Sequence, residues 1–217
     1  VSAEGCCFAI RPCQSKKGII GLDLKKLFRS KAFWENMAIV IFAVLLFFGL
    51  CAVIQPYYIS GPSMENTFQN NERILLDKLV YKFHAPQRGD IIAFHAPNPP
   101  ITTTTPLIKR IIGLPGEQVI IKKGVITIVE ANGSHFILQE PYIKELFTYS
   151  YNSGVIPPNE YFVLGDNRDI SEDSHYGWFV SRNEIIGKAW LNIWPVSLWG
   201  WAHNFTQPAS VVTTTVN

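Results

Sequence analysis

The chain has 217 residues, of which 47% are hydrophobic, 13% aromatic and only 17% charged, with 14 Pro and 15 Gly. Soluble domains carry about 25% charged residues, so some segment here is unusually charge-poor, and the Pro and Gly content excludes collagenous and low-complexity classes. A formal net charge of +2 is too small to mark a nucleic-acid binder, but it is unevenly spread: residues 1–35 hold seven Lys/Arg against three acids, the rest twelve against fourteen.

The first element is the charge-poor one. Met37–Ile54 reads MAIVIFAVLLFFGLCAVI, and no charged residue occurs from Met37 to Tyr58. Eighteen helical residues span roughly 27 Å, close to a bilayer core. Trp34 on one side and Tyr57 and Tyr58 on the other supply the amphipathic rings expected at membrane interfaces. A buried core helix would carry a polar face over five turns. A cleaved secretory signal would have a shorter basic region than the one holding Lys16, Lys17, Lys25, Lys26, Arg29 and Lys31. The expected organisation is a basic cytoplasmic tail over 1–36, a transmembrane anchor over 37–55 and an extracytoplasmic domain over 56–217, oriented by the positive charge of the tail. Cys6, Cys7 and Cys13 lie in the tail and Cys51 in the anchor, so the outer domain contains no cysteine, and the tail spacing matches no zinc pattern.

Beyond Pro56 the chain turns to short β-branched and aromatic runs. Strands are expected over Arg73–Phe83, Asp90–Phe94 and Leu107–Leu114, then over Gln118–Ile121 and Val125–Val129 as a hairpin closed by Lys-Lys-Gly. Phe136–Leu138, Tyr161–Leu164 and Ile186–Ile193 follow, and Pro97–Thr105 reads as an exposed loop. No sustained helical period occurs in this half, which predicts an all-β sandwich or barrel-like domain. Its end gathers four of the six tryptophans, Trp190, Trp194, Trp199 and Trp201, part core and part a candidate rim against lipid headgroups.

The five histidines show no metal-ligand spacing, and neither a Gly-x-Ser-x-Gly elbow nor a glycine-rich phosphate loop is present. Three segments remain: Ser60-Gly61-Pro62-Ser63-Met64-Glu65, Lys109-Arg110 within an isoleucine-rich run, and Gly165–Ser174. Alternation along a strand would turn one of Lys109 and Arg110 inward. A desolvated lysine loses its proton more readily and can serve as a base near neutral pH. On pattern alone, an edge strand with both cations reaching outward is the simpler reading, and Ser63 alone is equally uninformative.

Together the segments resemble the bacterial type I signal (leader) peptidase family, serine proteases with a Ser/Lys dyad. Gly61-x-Ser63-Met64-x-x-Thr67 is similar to its nucleophile box, Arg88-Gly89-Asp90-Ile91-Ile92 to its second box and Lys109–Glu117 to its lysine box; Gly165-Asp166-Asn167-Arg168-Asp169-x-Ser171-x-Asp173-Ser174 is similar to the last. The resemblance covers about residues 37–195. It implies an all-β catalytic domain of coiled sheets tethered by one N-terminal transmembrane helix. It also implies a membrane-bound serine endopeptidase that removes signal peptides from exported preproteins.

The same resemblance makes Ser63 the nucleophile, Lys109 the general base and Ser171 the group that orients the lysine. Asp166 and Arg168 become a supporting ion pair. Gly61 occupies an oxyanion-loop position at which some members carry a serine. No metal or cofactor is implied. The implied partners are signal peptides with small residues before the cut, the lipid bilayer and the secretion translocon, with no nucleic acid. The implied location is an inner or plasma membrane, with the N-terminus cytoplasmic. Asn66 stands where the family usually has Pro, Ile170 where Asn is common and His175 where Arg is frequent. Mitochondrial inner-membrane peptidases are a sister group with a similar nucleophile stretch. Two other classes remain: a self-cleaving repressor of the same clan, for which residues 1–36 offer no DNA-binding module, and a non-catalytic tethered β-domain, against which Ser63, Lys109 and Ser171 stand together.

Overall fold

The computed structural model describes residues 31–97, 105–145 and 147–204. The expectations for the basic tail and for most of the Pro97–Thr105 loop lie outside these residues. The chain divides into two units at Phe47/Phe48. The first element, α1, is a helix over Lys31–Val53. It starts six residues earlier than expected, because Lys31 and Glu35 are good helix formers and extend the apolar run. Its 23 residues are long and apolar enough to cross a membrane, and none is buried. A core helix would be buried, so that alternative falls. Cys51 is exposed on it.

The second unit is built from strands. β1 (Ile54–Tyr58) pairs antiparallel with β2 (Arg73–Asp77), and β2 with β11 (Ile185–Trp194). β11 continues to β3 (Ile91–Phe94), β3 to β4 (Leu107–Gly113), β4 to β9 (Glu160–Leu164) and β9 to β10 (Val180–Ser181), with β12 (Gly200–Trp201) paired to β11. A separate four-stranded sheet runs in the order β7 (His135–Ile137), β6 (Val125–Val129), β5 (Gln118–Lys122), β8 (Tyr151–Val155). Register shifts interrupt the β11–β2, β11–β3 and β4–β9 ladders. Bulges of this kind bend and coil a sheet.

Two expectations need correction. Arg73–Phe83 is not one strand. The Asp77 carboxylate accepts from the backbone N–H groups of Leu79 and Val80, ends β2 and turns the chain into the short helix α2 (Val80–Phe83). Nor do Lys109 and Arg110 divide between core and solvent, since both are buried, at 3% and 0% exposure. Ile91, Ala93 and Ile108 belong to one core cluster, while Ile92, Phe94 and Ile111 belong to another. Both faces of the β3–β4 pair are therefore covered, and alternation chooses between two interiors rather than between core and water.

Candidate active site

β1 is the edge of the larger sheet, where Pro56 is tolerated because one side of the strand needs no ladder donor. Past it, Ile59 and Glu72 close the loop through Ile59 N–H to Glu72 O at 2.9 Å. Residues 62–68 then form a stack of tight turns, with Glu65 N–H donating to Pro62 O and Phe68 N–H to Met64 O. Met64 and Phe68, at 0% and 2% exposure, pin this loop into the core. Ser63, between buried Met64 and exposed Pro62, is left half-buried. A nucleophile must be held and yet reachable, and this position does both.

The backbone explains two sequence peculiarities. Gly61 has φ +96°, its N–H donates to Asn70 Oδ1 at 3.0 Å, and no atom lies within 4 Å of where a Cβ would stand. Asn66 has φ +93°, which the proline ring, locked near −65°, cannot reach. Asn is among the residues that tolerate this region, so the backbone here takes Asn66 and not the Pro that the resemblance leads one to expect.

The remaining motifs converge on the same loop. Asn167 N–H donates to Ser63 O at 3.0 Å. A Cβ on Gly165 would stand 2.5 Å from Ser63 O and 2.1 Å from Ser171 Oγ, so Gly165, Ser63 and Ser171 meet at one point. The β4–β9 register sets Arg110 opposite Leu164, the residue before Gly165. Ser63 and Lys109 line one cleft of about 550 Å³, together with Tyr57, Tyr58, Ser60 and Ile108. Tyr57 donates to Pro106 O at 2.6 Å across it.

Burial lowers the Lys109 ammonium to about 8, against the opposing pull of Asp173, Asp166 and Glu172. An amine of that pKa is substantially neutral at mildly alkaline pH and can accept a proton. Ser171 is 2% exposed, and its Oγ has no hydrogen-bond partner among the described residues. The bond expected from it to the Lys109 amine is not made in this arrangement. The hydroxyl nevertheless stays buried and unengaged beside the loop that carries Ser63.

The expected Asp166–Arg168 pair does not form. Asp166, fully buried, accepts from Arg110 Nε at 2.8 Å and Nη2 at 2.6 Å, and its Oδ2 also accepts from Thr67. Arg110 further donates to the carbonyls of Gly89 and His203. Arg168 instead pairs with Glu140 through both terminal nitrogens. The second box is scaffolding of the same kind. Arg88 grips Glu117 bidentately and donates to Ile112 O, while Asp90 meets Lys188 at 2.6 Å and accepts from Tyr81. His175 Nδ1 donates to Asp173 Oδ1, 2.6 Å away. Sequence reasoning missed Gly165 as a contact residue, and it missed Glu140 and Tyr142, which belong to no motif. Among the described residues, no three His, Cys, Asp or Glu side chains gather as a metal site.

Comparison with known proteins matches residues 33–194 to the family described as signal peptidase, peptidase S26. The chain is 39% identical over 158 residues to the probable signal peptidase I-2 of Synechocystis sp., covering 71% of this chain and 70% of that one. It is 38% identical over 172 residues to the signal peptidase I of Leptolyngbya laminosa, covering 76% and 82%. A crystal structure of a signal peptidase I from Enterococcus faecalis V583 aligns over 48% of this chain and 97% of that one, at 34% identity and a TM-score of 0.41.

Proposed function

The chain belongs to the signal peptidase family, peptidase S26, and we propose that it cleaves signal peptides from preproteins with Ser63 as nucleophile and Lys109 as general base. The observation that carries this reading is that half-buried Ser63 and buried Lys109 line one cleft, with the lysine brought by burial to about 8. Neutral Lys109 takes the Ser63 proton as the oxygen attacks the scissile carbonyl, and the ammonium then donates to the departing amine. The same amine activates the water that hydrolyses the acyl-enzyme. The backbone N–H of Ser63 is one oxyanion donor, and the Gly61 position supplies no side-chain donor. Ser171 turns its unengaged hydroxyl to the lysine amine in the reacting complex. Asp166 and Arg168 support the site through their separate partners, Arg110 and Glu140.

The substrate binds extended. β1 is an edge strand lining the cleft, so a peptide can add alongside it by main-chain hydrogen bonds, with small residues at the first and third positions before the cut. Helix α1 anchors the enzyme in the membrane. The basic tail over 1–36 lies in the cytoplasm, and the domain from about residue 56 works outside, as a single-pass protein beside the secretion translocon that delivers its substrate. The excess of Lys/Arg before the helix supports that orientation. Exposed Trp194, Trp199 and Trp201 suit contact with headgroups.

A preprotein cleavage assay on the full chain and on Ser63→Ala tests the chemistry: the wild type cuts and the variant does not. Protease added to right-side-out vesicles tests the topology. It should digest the strand domain and spare the tail, and the reverse pattern refutes the orientation.

A further inference from the structure

The residues of the nucleophile, lysine and last motifs sit on β4 and in the loops of residues 59–68 and 165–175, but side chains that close over them come from elsewhere. Between β7 and β8 of the smaller sheet, the described residues 138–145 and 147–150 belong to none of the four motifs. From this connection Glu140 takes Arg168 in a bidentate pair whose side chains are 8% and 2% exposed. Tyr142 lays its ring 4.0 Å from the Arg110 guanidinium, and Phe147 lays its ring 5.0 Å from that of Arg168. Tyr149 stacks on His175 at 4.6 Å. One connection therefore covers the two buried arginines and the histidine of the motif loops.

The Glu140 contact leads directly to the nucleophile. Arg168 Nε donates to Gly165 O at 3.0 Å, and Asp173 Oδ2 accepts from Gly165 N–H at 2.9 Å, so Gly165 is clamped on both sides. Its Cα faces Ser63 O and Ser171 Oγ at separations that leave no room for a methyl group. A displacement of Gly165 is thus passed to both serines. Without Glu140 the Arg168 guanidinium is a buried charge lacking its carboxylate. Asp166, a buried carboxylate of the same loop, is already engaged by Arg110 and Thr67. A guanidinium in that state moves toward water or another acceptor and releases the Gly165 carbonyl.

We propose that Glu140 is a positioning residue for the cleavage reaction, acting through Arg168 to fix Gly165 and with it the geometry of Ser63 and Ser171. The inference rests on the Ser63/Lys109 reading above. A shift of about an ångström at reacting groups costs up to about a hundredfold in rate, so the effect falls on kcat.

The test uses the full chain in detergent with a preprotein substrate. Glu140→Gln should lose about tenfold or more in kcat with KM within about twofold, and Glu140→Asp, which keeps the charge, should recover part of the loss. The double variant Glu140→Gln/Arg168→Met removes both charges. Its unfolding midpoint should return toward wild type, because no buried charge is left unpaired. Its kcat should stay low, because Gly165 O has lost its donor. Exposed Glu145→Gln in the same connection should behave as wild type. A kcat for Glu140→Gln within twofold of wild type, or a double variant that regains kcat together with its midpoint, would overturn the proposal. Ser63→Ala runs alongside: inactive Ser63→Ala with fully active Glu140→Gln defeats this inference alone, whereas surviving cleavage in Ser63→Ala defeats the dyad reading and this inference with it.

Discussion

Gly165 and Ser171 approach so closely that a methyl group on the glycine would stand 2.1 Å from the serine Oγ. The contact is not a matter of backbone freedom, since Gly165 is not among the positive-φ residues; it is a matter of space. On its other side the added methyl would stand 2.5 Å from Ser63 O. Gly165→Ala should therefore push the two serines apart and destabilise the domain by about 1–3 kcal/mol, the usual range for an overpacked site. Activity should fall further than that loss of stability accounts for at 25 °C, where the variant is still folded. Thermal unfolding and cleavage rate on one preparation check this, and a variant with wild-type rate would show that the site tolerates the shift.

If Lys109 is the base proposed above, it should set the pH dependence. Its folded value, about 8, lies below the ordinary lysine value because burial disfavours the ammonium. The base form is scarce below that pH and abundant above it, so kcat/KM should rise with one proton's slope and level off past about 8. Glu172 is exposed and is one of three carboxylates that hold the ammonium form in place. Glu172→Gln should move the limb to lower pH by a few tenths of a unit, since an exposed charge is screened by water. A shift to higher pH, or a limb that follows His175→Gln instead, would assign the titration elsewhere.

Arg110 tests the scaffold rather than the chemistry. Its guanidinium is fully buried, grips Asp166 with two nitrogens and holds the carbonyls of Gly89 and His203. Arg110→Lys keeps the charge but replaces a fork of donors by a single ammonium on a shorter reach. A loss of stability of about 2–3 kcal/mol is expected, the scale of a hydrogen bond or two to charged groups. Calorimetry or denaturant unfolding measures it, and an unchanged midpoint would mean that the lysine ammonium satisfies Asp166 unaided.

Legibility in the sequence followed the range of the interactions. Helix α1 and the β5–β6 hairpin declare themselves within a few residues, through an uncharged run and a Lys-Lys-Gly turn. β1 did not, because its Ile54 continues the apolar run of the helix and Pro56 argues against a strand unless the strand is an edge. Tyr151–Val155, with Asn, Ser and Gly at its centre, has no strand composition and is a strand only because β5 pairs with it. The exchange of ion-pair partners was invisible for a related reason. Asp166 meets an arginine 56 residues away and Arg168 a glutamate 28 residues away, and opposite charges two residues apart in sequence do not say which fold neighbour they will find. Motif spacing offered Ser63, Lys109 and Ser171 as candidates, whereas the close contacts of Gly165 and the part played by Glu140 come only from packing.

The last prediction separates a base from a charge. Lys109→Arg preserves the positive charge in a position that is 3% exposed and faces Asp173, Asp166 and Glu172. If the lysine served those carboxylates alone, arginine would serve them as well. A general base must give up its proton near neutral pH, and a guanidinium, with a pKa above about 12, cannot. Lys109→Arg should thus lose about 10²–10⁴-fold in kcat, the range for removing an acid–base group, and the residual rate should not climb as pH is raised through 8. Because arginine is larger than lysine and the position is buried, the unfolding midpoint must be read on the same sample, and Lys109→Met gives a smaller variant that also lacks a base. Both should be folded and inactive. Cleavage at the wild-type rate by either, with the rising limb intact, would take the base away from Lys109 and leave His175, held by Asp173 at the edge of the last motif, as the group to test next.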